Sequence, residues 1–75
     1  MNMAVRAKIL LQHRKTLHYM TAEGQWTSEV ANAAVFEHVA DAGKFARQRP
    51  ADAVDILMNF GDSQYDVRLP ASADN

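Results

Sequence analysis

The sequence predicts an α+β domain, a mostly antiparallel sheet of four to five short strands with one main helix packed on one face. Apolar and polar residues alternate near both ends of the chain, as the strands of an N-terminal and a C-terminal hairpin require. Between them runs an apolar stripe at helical spacing. The length sets the scale: 75 residues form a single domain whose core burial only just offsets chain entropy, so most large apolar side chains have to lie inside.

The first element is the N-terminal hairpin. Ala7, Ile9 and Leu11 share one face of a strand, Leu17 and Tyr19 share a face of the next, and the chain turns near Arg14 and Lys15. The same residues also fit one basic helix from Ala4 to Met20, with Ala7, Leu10, Leu11, Arg14, Leu17 and Met20 on a stripe. The hairpin is preferred because Thr16, Leu17, His18, Tyr19 and Met20 together are poor helix formers and no cap precedes them.

Gly24 then supplies a turn within Ala22, Glu23, Gly24 and Gln25. Thr27 or Ser28 caps a short helical turn through Glu29 and Ala31 to Ala34, followed by a brief extended piece at Val35 and Phe36. Val39, Ala42, Phe45 and Ala46 define a helix from Val39 to about Gln48, with Arg47 and Arg49 at its negative end and Pro50 to stop it. Gly43 weakens that helix by ~1 kcal/mol relative to alanine.

The C-terminal hairpin is the clearest element. Val54, Ile56, Met58 and Phe60 alternate with Asp55, Leu57 and Asn59. Gly61, Asp62 and Ser63 turn the chain, and Tyr65, Val67 and Leu69 alternate on the return until Pro70 closes the strand at a sheet edge. The expected core is Trp26, Phe36, Phe45, Ile56, Phe60 and Val67, within one domain spanning 1–75 whose ends, 1–5 and 71–75, fray. Trp26, the only tryptophan, is read as a core plug rather than the floor of a binding site, because the other large apolar residues do not fill the interior by themselves.

The Gly24, Trp26, Thr27 element after two small strands, the Ala33 and Phe36 pair, the helix holding Phe45, Ala46 and Arg47, and the final alternating hairpin resemble a loose group of short bacterial and phage-encoded proteins. The resemblance implies a compact α+β module and carries no activity with it.

Chemistry has little material in this chain. Without cysteine there is no disulfide scaffold, thiolate zinc site or cysteine nucleophile, and a small cysteine-free chain suits a reducing cytoplasm. His13, His18 and His38 lack metal-ligand spacing, although a hairpin brings the first two near each other. Asp62, Ser63 and Asp66 lack the further oxygens of a calcium loop, and Asp52 with Asp55 lacks a cleft. The glycines at 24, 43 and 61 are too scattered to cradle a phosphate. The expectation is a protein with no catalytic residues, no metal and no cofactor.

Charge is the remaining signal. Residues 1–22 hold Arg6, Lys8, Arg14 and Lys15 and no acid, while residues 23–75 hold nine acids against Lys44, Arg47, Arg49 and Arg68, giving +4 followed by −5. Arg6, Lys8, Arg14 and Lys15 would be the contacts of a weak nucleic-acid-binding hairpin. The preferred expectation is a protein-interaction or self-association module, a homodimer or a complex with another protein. A small open sheet leaves an edge to cover, and segments of opposite charge attract. The apolar run Ile9 to Leu11 is too short to span a membrane.

Overall fold

The computed structural model describes residues 7–48, 53–61 and 63–71. Five strands form one antiparallel sheet: β1 (Lys8–His13), β2 (Tyr19–Met20), β3 (Trp26–Thr27), β4 (Val54–Asn59) and β5 (Val67–Pro70). Their spatial order is β3-β2-β1-β4-β5, and α1 (Val39–Arg47), the single α-helix among the described residues, lies on the sheet over β1 and β4. This is the predicted α+β architecture, with the hairpin preferred over the N-terminal helix.

The spine is the β1–β4 pair, joined over six residues from Lys8 opposite Asn59 to His13 opposite Val54. Both strands are rich in Leu, Ile and Val, which suit a pleated surface buried on both faces. The chain cannot join them by a tight turn, because β2, β3 and α1 intervene in sequence. The two predicted hairpins therefore meet through their inner strands.

Antiparallel register places paired residues on one side of the sheet, so the rows can be read across it. On the helix side they are Phe36, Ile9, Met58 and Val67, then Leu11, Ile56 and Leu69, then His13, Val54 and Ala71. Ile9, Leu11, Met20, Val54, Ile56 and Ala71 pack there with Ala42 and Ala46 of α1, and Trp26, Phe36, Val39 and Phe45 close the margin. The rings of Phe36 and Phe45 meet edge to face at 5.3 Å, which pins the entry loop of the helix to its last turn.

The opposite side is buried at its centre, at Leu10, Leu57, Gln12 and Asp55. Leu10 and Leu57 face each other there, both 1% exposed, and the next row runs Thr27, Tyr19, Gln12, Asp55 and Pro70 across all five strands. Leu57, which the alternating pattern sets beside Asp55 and Asn59 on the outer face of its strand, is thus as buried as any helix-side residue.

Several sequence expectations need correction. Val67 is 43% exposed and no core residue, because a helix about 10 Å wide spans roughly two strands at ~4.8 Å spacing and α1 sits over β1 and β4. Phe60 is half-buried and lies outside the central cluster, and of the expected core Ile56 alone is fully buried. Trp26 and Thr27 form a third strand instead of preceding a capped helical turn; the turn that follows is a 3-10 helix at Val30–Asn32 without a side-chain cap. Leu17 sits in the β1–β2 turn with φ 65°, exposed, and shares no strand face with Tyr19. Ala71, expected to fray, is buried and donates its backbone N–H to Val54 at 3.0 Å. The 1–5 and 72–75 ends lie outside the described residues, as do Arg49, Pro50, Asp52 and Asp62.

Candidate functional site

The basic residues named from the sequence do not converge. Lys8 opens β1 and Arg14 follows its last residue, so about 20 Å of strand separates them at ~3.3 Å per residue. Between them on the same face, Leu10 and Gln12 are buried, so no open basic stripe runs along β1. Lys15 is exposed in the turn, and Arg6 lies outside the described residues.

Arg14 is committed within the fold. Its Nε and one terminal nitrogen donate to Oδ1 of Asp55 at 3.1 and 2.8 Å, while its backbone N–H donates to Ala53 at 2.7 Å. Hydrogen bonding to Asp55, reinforced by that carboxylate's charge, holds the guanidinium above its usual range. On the alkaline side, a basic group raised in this way loses its stabilising effect only in strong alkali.

The histidines serve local structure. Nδ1 of His13 accepts the backbone N–H groups of Lys15 and Thr16 at 3.1 and 3.3 Å, so the neutral ring carries its hydrogen on Nε2. Its ring also meets Trp26 edge to face at 5.2 Å. His18 joins His13 only through the backbone, by the His13 N–H to His18 carbonyl bond of 2.8 Å. His38 is the N-cap residue of α1 without a side-chain capping bond, exposed, 4.0 Å from Glu37. Among the described residues no group of three or more His, Asp or Glu side chains is placed to hold a metal ion.

A shallow groove of roughly 660 Å³ opens between the start of β1 and the loop entering α1, lined by Ala7, Lys8, Val35, Phe36, Glu37 and His38. Its charges are of both signs and solvent-exposed, with no buried polar group aimed inward, so it lacks the fixed donors that orient a small ligand.

The feature that stands out is β5. All four of its residues are exposed, and Val67 (43%) and Leu69 (38%) extend helix-side rows whose central members, Ile9, Leu11 and Ile56, are core. Tyr65, 62% exposed in the 3-10 turn Ser63–Tyr65, lies just before it. The sequence marks these residues as one apolar face of a strand. It does not reveal that the helix stops short of them, since that depends on which strands the helix crosses.

β5 also has a definite set of free backbone groups. Ala71 donates to Val54, which makes that pair hydrogen-bonded. By the antiparallel alternation Leu69 and Val67 also bond to β4, while Arg68 and Pro70 turn their backbone groups to the open edge. Pro70 has no N–H to offer.

No helix among the described residues is long and apolar enough to cross a membrane. No family model matches the chain, and neither a curated protein nor a solved structure matches it. Fold and surface together define a small α+β domain, one helix on a five-stranded antiparallel sheet, with an apolar edge strand.

Proposed function

We propose that this chain is a non-catalytic interaction module that works by self-association through the β5 edge. The observation that supports it is the exposure of Val67 and Leu69 at the ends of rows whose central members, Ile9, Leu11 and Ile56, are core. An apolar edge strand is a template for further pairing, and a domain this small gains stability by covering it. The opposite charges of residues 1–22 and 23–75 favour docking of copies over mutual repulsion. A cysteine-free module of this kind suits a reducing cytoplasm.

Sedimentation equilibrium over a broad concentration range tests the reading. The apparent mass should rise above 8.4 kDa as concentration enters the high micromolar range, and a Val67→Lys, Leu69→Lys double variant should remain at 8.4 kDa throughout. Wild-type chain that stays at 8.4 kDa at every concentration overturns it.

A further inference from the structure

We propose that two copies join β5 to β5 in antiparallel register about a two-fold axis through Val67, so that the sheet continues from one chain into the other. This rests on the self-association reading and gives it a geometry.

A two-fold strand pair has to place outward-facing backbone groups opposite each other; on β5 these belong to Arg68 and Pro70, and the proposed pair extends the same alternation to Asp66, the residue before the strand. Five centres fall between Asp66 and Pro70; centring on Asp66 opposes that carboxylate to its own copy and centring on Pro70 opposes two residues without an N–H, which leaves three. Centring on Arg68 sets that arginine against its own copy, a like-charge pair directly opposed. Centring on Leu69 sets Arg68 against Pro70, which lacks the N–H that the pair needs. Centring on Val67 sets Arg68 against Asp66 of the second copy, twice by symmetry, with a donor and an acceptor on each residue.

The side chains agree with that third register. Val67 meets Val67 of the second copy on the helix side, and Leu69 comes to lie against the second copy's 3-10 turn that carries Tyr65, so the exposed apolar residues of this edge cover one another. On the other side, cation faces carboxylate. Arg68 uses Nε for Gln12, and its terminal nitrogens have no partner among the described residues. Asp66 is part-exposed with its Oδ1 buried and unbonded among the described residues, so the pairing with Arg68 of the second copy falls to its Oδ2. Pro70 falls beyond the outermost of these pairs, where it ends the pairing and blocks slippage toward the other registers.

Cysteine cross-linking reads the register directly, because the chain has no cysteine of its own. In the proposed pair Val67 forms a non-hydrogen-bonded couple with its copy, at ~4.5 Å between Cα atoms, within the span a disulfide accepts. Leu69 and its copy lie four residues apart in register, about 13 Å along the strand, well outside it. A Val67→Cys chain in a glutathione redox buffer should form a covalent dimer on a non-reducing gel, and Leu69→Cys should stay monomeric. Both positions are partly exposed, so neither variant threatens the fold. If sedimentation shows a dimer but Val67→Cys does not cross-link, or Leu69→Cys does so equally well, the register is wrong and self-association stands. A mass of 8.4 kDa at all concentrations removes both.

Discussion

Nε of Arg68, on the edge strand β5, donates a 2.9 Å hydrogen bond to Oε1 of Gln12, two strands away in the middle of the sheet. Gln12 is nearly fully buried, and its amide nitrogen donates to the carbonyl of Leu17 at 3.1 Å. One side chain thus ties the β1–β2 turn to the C-terminal edge, across a sequence separation of 56 residues. Buried polar groups that are fully paired fix a register as well as stabilise it.

Replacing Gln12 with Ala removes both bonds together. The expected loss is about 1 to 2 kcal/mol in chemical denaturation. Amide exchange should quicken in β5 and the turn before it does in β1 and β4. Uniform acceleration across the sheet would show that Gln12 does not clamp the edge.

Leu57 and Val67 should exchange the roles that their sequence pattern suggests. Leu57→Ala opens a cavity at a fully buried position and is expected to cost about 2 to 5 kcal/mol. Val67→Ala, at low protein concentration where the chain is alone, should cost under ~1 kcal/mol. Equal losses at the two positions would contradict the burial of the face away from the helix.

Gly43 offers a stabilising change. It is buried in α1, yet an added Cβ would meet only a terminal nitrogen of Arg47 at 3.4 Å and Cδ1 of Ile56 at 3.9 Å. Both are ends of side chains at or near ordinary contact distance. Gly43→Ala is therefore expected to raise stability by about 0.5 to 1 kcal/mol, seen as a higher denaturation midpoint with an unchanged slope. A lower midpoint would mean that helix and sheet cannot take the extra methyl group.

Leu17 carries backbone strain, since a left-handed conformation crowds a side chain with its own carbonyl. Leu17→Gly should raise stability by several tenths of a kcal/mol, the relief of strain exceeding the added freedom of the unfolded chain. Leu17→Val, branched at Cβ, should lower it by about 1 kcal/mol. Thermal unfolding of the pair decides the matter, and a destabilised glycine variant would assign Leu17 a packing role that its exposure does not suggest.

Fold class was legible in the sequence because both of its signals are local. Alternation over Val54 to Phe60 and the stripe from Val39 to Ala46 each need only neighbouring residues to be read. The third strand was not, since two residues, Trp26 and Thr27, are too few to show a period, and they become a strand only by pairing with Met20 and Tyr19. Trp26 consequently lies at an edge, half-buried between the core and the ring of His13. The basic residues were visible as a cluster in sequence, but a strand separates side chains that sequence counts as near.

The chain by itself determined one small α+β domain, two hairpin-forming ends, a helix between them and an apolar face on every long strand, because composition and periodicity act residue by residue. Tertiary structure alone decided which apolar residues are covered. The inner strands of the two hairpins pair with each other, a nine-residue helix settles over that pair, and β5 is left at the margin with Val67 and Leu69 uncovered. A helix has a fixed width and the sheet here is wider, so the apolar pattern cannot say which of its residues will stay outside.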